Sequence, residues 1–102
     1  MGQYIAHPYQ TSSAQAEEIL PSGRSDGGHT ERLGWFVQNQ STGNLYLGTA
    51  ANVSSTANFF MKIATGALYE SPGIGTPGGY TGPLYVIGDG TDSNTSIFIE
   101  VV

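Results

Sequence analysis

The chain has 102 residues, with 15 glycines, five prolines and no cysteine, a size that suits one domain with a small core and a composition that excludes disulfides, a thiol nucleophile and a cysteine-based zinc site. Three basic residues stand against eight acidic ones, for a formal charge of −5, which speaks against binding the phosphate backbone of nucleic acid or an anionic membrane surface. Charged residues make up only 11% of the chain and hydrophobic ones 38%, so the sequence should fold, with a surface of Ser, Thr, Asn, Gln and Gly rather than of ion pairs.

In chain order, residues 1–30 read as an extended N-terminal arm. Their apolar residues are scattered, and the stretch from Pro21 to Thr30 is dense in turn formers with no period that would bury a face. Within it, Ser13-Ala14-Gln15-Ala16-Glu17-Glu18-Ile19-Leu20 could form a short helix, capped by Ser12 or Ser13 and stopped by Pro21. The first eight residues lack the cationic start and apolar stretch of an export signal, and no long apolar run suggests a membrane span.

Residues 31–102 read as a β domain, because a two-residue hydrophobic period recurs from Leu33 onward. Leu33, Trp35 and Val37 share one face. Phe59, Met61 and Ile63 should point inward with Lys62 outward, and Ile97, Ile99 and Val101 inward with Glu100 outward. Leu45 with Leu47, and Leu84 with Val86, mark two further strands. Five strands separated by Gly, Asn and Ser clusters predict an all-β fold, a small antiparallel β-sandwich or barrel carrying the arm.

The pentad Thr-Gly-x-Leu-Tyr occurs at Thr42–Tyr46, Thr65–Tyr69 and Thr81–Tyr85. The unequal spacing argues against a solenoid or propeller. Each copy fits a turn whose Gly takes a positive φ, followed by a strand with Leu and Tyr on opposite faces. The competing reading is an outward stripe of Tyr46, Tyr69 and Tyr85 used for contact, with Tyr80 in the Gly- and Pro-rich loop from Ser71 beside it.

No constellation supplies chemistry. Gly73, Gly75 and Gly78 match the letters of the dinucleotide-binding motif, but Pro72, Pro77 and Pro83 forbid the helix it requires. Ser25, Asp26 and His29 have the residue types of a hydrolytic triad on a Gly-rich segment that cannot hold triad geometry. His7 and His29, even with Asp26 or Glu31, match no metal spacing. The segment Asp89–Asn94 departs from the calcium-loop order and reads as a hairpin connection between Leu84–Ile87 and Ile97–Ile99. Three Asn-x-Ser matches, at Asn39, Asn52 and Asn94, read as chance. The carboxylates of Glu17, Glu18, Glu31, Glu70 and Glu100 are spread over the arm and exposed strand faces. The sequence therefore points to a non-enzymatic chain with no cofactor and no metal.

The run from Asn39 to Ser54, with its Asn, Ser/Thr turn, Leu-Tyr-x-Gly strand and small-residue loop, together with Tyr80–Asp89 and the closing strand Ile97–Val102, resembles a short β-rich module of accessory structural proteins of tailed bacteriophage virions. The resemblance spans about residues 33–102; the Gly-Pro segment between Ala67 and Gly79 departs from it, and the arm has no counterpart in it. It implies a capsid decoration (cement) protein on the exterior of the virion, present in the host cytoplasm during assembly, partnered by the major capsid protein or other virion proteins and assembled as a homotrimer. The alternative that it admits is a tail or head-fibre component. On the first reading the arm, with Arg24 and His29, makes neighbour contacts. On the second, Trp35, Tyr46, Tyr69, Tyr80 and Tyr85 stack on sugar rings.

Overall fold

The computed structural model describes residues 4–21, 32–71, 82–90 and 94–102. Among them are eight strands and no helix: β1 (Tyr4–Gln10), β2 (Glu17–Leu20), β3 (Gly34–Gln38), β4 (Leu45–Gly48), β5 (Met61–Ile63), β6 (Leu68–Glu70), β7 (Leu84–Gly88) and β8 (Thr95–Val101). They form two four-stranded sheets, ordered β1-β8-β3-β6 and β2-β7-β4-β5, called sheets A and B below, and every pairing is antiparallel. The all-β sandwich expected from the hydrophobic period is the observed fold.

The order has a simple generating rule. β1 pairs with β8, β2 with β7, β3 with β6 and β4 with β5, so the chain is one long antiparallel ribbon doubled back on itself. Rolling that ribbon brings β8 beside β3 and β7 beside β4, which closes the two sheets. This is the jelly-roll arrangement of two interlocked Greek keys.

Directly paired residues share a face of a sheet. In sheet A the row His7, Phe98, Val37 and Tyr69 lies inward, as does the row Ile5, Glu100 and Trp35. Sheet B answers with Leu20, Leu84, Val86, Leu45, Leu47 and Ile63, and these residues with Tyr9, Trp35, Val37 and Phe98 form the main core. The Trp35 ring lies 5.0 Å from that of Tyr69 and 6.0 Å from that of Phe98. Burial of such large apolar side chains is the dominant favourable term, at about 1.5–3 kcal/mol each.

Four sequence expectations are corrected. The segment expected as an arm is extended, but over residues 4–20 it supplies β1 to sheet A and β2 to sheet B. Its inward residues Ile5, His7 and Tyr9 do alternate; a histidine and Pro8 hide the period. The expected helix ending at Leu20 is strand from Glu17 onward, since Ile19 and Leu20 gain more by entering the core than an isolated eight-residue helix could gain from its own hydrogen bonds. Most of the last strand faces the other way: Phe98 and Glu100 are fully buried and Ile97 is 44% exposed, while Val101 is buried as expected. Finally, β7 and β8 are not a hairpin. They belong to different sheets.

The other expected inward faces stand in part. Trp35, Val37, Leu45, Leu47, Leu84 and Val86 are buried as expected, and Ile63 is buried with Lys62 outside. Phe59 lies before β5 and is 38% exposed, its ring 5.0 Å from that of Tyr46. The pentad glycines serve two purposes. Gly66 takes φ +78 in the turn before β6. Gly43 instead allows close approach, since a Cβ there would lie 2.3 Å from Asp89 Oδ1.

Candidate functional site

Three places combine polar chemistry or exposed apolar surface: a buried charged cluster at one end of the sandwich, and the outer face of each sheet.

The buried cluster is centred on Glu100, which sits between β1 and β3 on the inward side of sheet A. Arg32 Nε donates to Glu100 Oε2 at 3.0 Å, and both side chains are essentially inaccessible. His7 Nε2 lies 2.9 Å from Glu100 Oε1. The same guanidinium donates to the Pro21 carbonyl at 2.6 Å and to the Gly82 carbonyl at 3.0 Å. These carbonyls follow β2 and precede β7, so one arginine ties the carboxylate of sheet A to two chain ends of sheet B. A buried ion pair must have its remaining donors satisfied, because the desolvation cost of two charges is large. Here the carbonyl bonds meet that need, and no buried side-chain nitrogen or oxygen among the described residues lacks a partner. The cluster is a structural pin. His7 belongs to it through Nε2, while His29, Asp26 and Glu31 lie outside the described residues.

The outer face of sheet B is closed by the chain's own β4–β5 connection. Tyr46, Val53 and Ile87 form a second buried cluster, with Ala16 and Tyr85 packed against it. Val53 fits over Gly48 so closely that a Cβ on that glycine would fall 2.6 Å from the Val53 Cβ. At one side of this cluster, Tyr46 Oη donates to Asp89 Oδ2 at 2.7 Å and the Asn44 backbone N–H donates to Asp89 Oδ1 at 2.6 Å. The Tyr46 hydrogen bond, followed by that from the Asn44 backbone, holds the Asp89 carboxyl below its ordinary value. The same bond to Asp89 raises the Tyr46 phenol above its own. Next to it a shallow depression of about 480 Å³ runs between Ser13–Ala16 and Ala51–Ser55, with Ile87 and Asp89 in its wall.

The outer face of sheet A is different in kind. It carries Tyr4, Pro8, Phe36, Leu68, Ile97 and Ile99, with Glu70 at the β6 corner. Tyr4 is 73% exposed, Leu68 68% and Ile97 44%. The Tyr4 and Phe36 rings meet edge to face at 6.1 Å. An exposed apolar sheet face is a candidate interaction surface.

The expected tyrosine stripe does not form. Tyr46 and Tyr85 belong to the sheet B cluster, whereas Tyr69 points into the core against Trp35. Tyr80, Arg24 and His29 lie outside the described residues, as do the Ser25-Asp26-His29 group and the glycines of the dinucleotide-like motif. Glu100, expected on an exposed strand face, is fully buried. Asn39, which begins one of the Asn-x-Ser matches, is also fully buried, and its amide donates to the Gly43 and Ile63 carbonyls at 2.9 and 2.8 Å.

Sequence reasoning missed both the pin and the sheet A face. The available signal was the run Ile97-Phe98-Ile99-Glu100-Val101, where apolar residues occupy both parities and one parity must face outward. No family model, curated protein or solved structure matches this chain.

Proposed function

We propose that the chain is a non-enzymatic virion structural protein, a capsid decoration (cement) protein that binds the outer surface of an assembled capsid, stabilises the shell and works as a homo-oligomer, a trimer on the virion resemblance. The observation that carries this reading is the exposed apolar face of sheet A, an adhesive surface on a small domain. The polar side chains support it from the other side. Arg32, Glu100 and His7 are spent on holding the fold, and Asp89 and Tyr46 on each other. The jelly roll is a scaffold that capsid and lectin domains share, so it accommodates the reading without choosing it.

The test is to add the purified chain to expanded tailed-phage capsids prepared without it. The expected result is saturable co-sedimentation at hundreds of copies per particle, with particles that resist heating better. Absence of binding overturns the proposal. The alternative, a tail or head-fibre component with a glycan-binding role, rests on the polar depression beside Asp89. It loses Trp35 and Tyr69 to the core and Tyr46 to the buried sheet B cluster, and keeps the half-buried Tyr85 among the described residues as a stacking residue. A few dozen copies or fewer per virion, with hits on a glycan array, would favour it.

A further inference from the structure

We propose that the outer face of sheet A is the self-association surface of the protein, covered in solution by the same face of a second copy. This inference concerns the isolated chain, where same-face packing closes at two copies; it does not require that the chain decorate capsids and is independent of the trimer that the virion resemblance implies.

The first argument is the distribution of charge. The chain carries a net −5, so two copies repel wherever their carboxylates meet. Among the described acidic residues, Glu17, Glu18 and Asp89 lie on strand β2 and just past β7, both in sheet B, and Glu100 is buried. On the outer face of sheet A the only described charge is Glu70, at the corner. A partner chosen by opposite charge would find nothing to pair with there. A second copy, presenting the same uncharged centre, meets no repulsion and hides apolar surface on both sides.

The second argument is that the sheet edges are closed to the competing mode. Exposed edge strands invite pairing with another chain, and proteins prevent it with proline, charge and short strands. Sheet A ends in β1, which contains Pro8, and in β6, which has three residues including exposed Glu70. Sheet B ends in β2, with exposed Glu17 and Glu18, and in β5, three residues long with exposed Lys62. Association by strand addition is disfavoured at all four edges, which leaves face-to-face packing.

The third argument is geometric. Strand and residue spacings give the face a planar extent of roughly 20 by 17 Å, which protruding side chains such as Tyr4 and Leu68 enlarge. Two such faces stacked at the usual sheet separation of about 10 Å overlap over roughly 340 Å² per copy before side-chain protrusion, below the size of stable specific interfaces and in the range of weak, transient ones. That size fits reversible association rather than an obligate oligomer.

The experiment is sedimentation equilibrium of the purified full-length chain over a wide concentration range, comparing wild type with Leu68→Glu and, separately, Ile97→Glu. Gln15→Glu serves as the control, adding the same charge at an exposed position away from sheet A. The expected result is a concentration-dependent oligomer of wild type and of Gln15→Glu, weakened at least about thirtyfold in each sheet A variant. Circular dichroism should show the variants folded, since both side chains already contact solvent; if one variant fails to fold, the other carries the test. A wild type that stays monomeric throughout, or an oligomer unaffected by both variants, overturns the proposal. So does a monomer that binds capsids through an intact Leu68 and Ile97, since the occupant is then another virion protein. Capsid binding is measured separately, so either proposal can fail while the other stands.

Discussion

The outer faces of the two sheets begin from similar material and end differently. Sheet B places Tyr46, Ile87 and Tyr85 outward, and the long β4–β5 connection folds back over them, with Val53 seated on Gly48 and Phe59 against Tyr46. Sheet A places Phe36, Ile97, Ile99 and Leu68 outward, and Leu68 and Ile97 remain exposed. The difference lies in what folds back over each face. The twelve residues that join β4 and β5, 49–60, seat Val53 on Gly48 and close sheet B, whereas no described segment covers Leu68 and Ile97 of sheet A in that way. An apolar sheet face is thus quenched within the chain where a connection packs onto it and stays exposed where none of the described residues does.

The largest expected effect tests the facing of sheet A itself. If Glu100 is inward, Glu100→Ala or Arg32→Ala strands a buried charge and should cost about 3–5 kcal/mol in urea unfolding. If Glu100 were outward, as simple alternation of the last strand suggests, the cost would fall below about 0.5 kcal/mol. The result decides both faces at once, because a one-residue change of parity would send Ile97 and Ile99 into the core.

The lid of sheet B is tested next. In Gly48→Ala the new Cβ would lie 2.6 Å from the Val53 Cβ and 2.9 Å from the Asn58 carbonyl oxygen. Overpacking of this kind costs about 1–3 kcal/mol. An unchanged unfolding midpoint would mean that the 49–60 connection does not sit on sheet B, and the contrast between the faces would lose its basis.

A smaller loss is expected from Tyr46→Phe, which keeps the ring on Phe59 and removes the hydroxyl that donates to Asp89. The pH dependence gives this variant a distinctive form. Asp89 is held below its ordinary value of 3.8, so the stabilisation is present above that value and disappears as pH falls through the lower folded value. Tyr46 is raised above 10.0, so the stabilisation is present below that value and disappears as pH rises through the higher folded value. The gap between wild type and variant should be flat across neutral pH and should close in strong acid and strong base. A gap that varies across neutral pH would place the contribution elsewhere.

These particulars explain how far the sequence could be read. The sandwich was legible because Trp35 with Val37, Leu45 with Leu47, and Leu84 with Val86 recur at two-residue spacing between clusters of Gly, Asn and Ser. β1 was not, since His7 faces inward only by virtue of a carboxylate 93 positions away. The facing of β8 was misjudged for a related reason. A lone glutamate in an apolar strand ordinarily points to water, and only the arrival of Arg32, with its second and third bonds to Gly82 and Pro21, makes the buried position tolerable. The candidate surface inherits that error: the residues assigned to the core by alternation, Ile97 and Ile99, are the ones presented to a partner. Tyr46 and Tyr85 were found as an outward pair, but Tyr69 shares their pentad without sharing their face, because β6 lies in the opposite sheet.

The smallest effect on the single chain is the most informative about the bare face. Ile97→Ser, measured at dilution where the chain is monomeric, should lower stability by only about 1 kcal/mol, because the side chain is already 44% exposed in the folded chain. Raising the protein concentration should separate the two proteins. Association that selects the folded chain raises its apparent stability by mass action, so the wild-type unfolding midpoint should climb with concentration while that of Ile97→Ser stays level. A wild-type midpoint that does not move would mean that the outer face of sheet A, however apolar, is not covered by another copy of this chain.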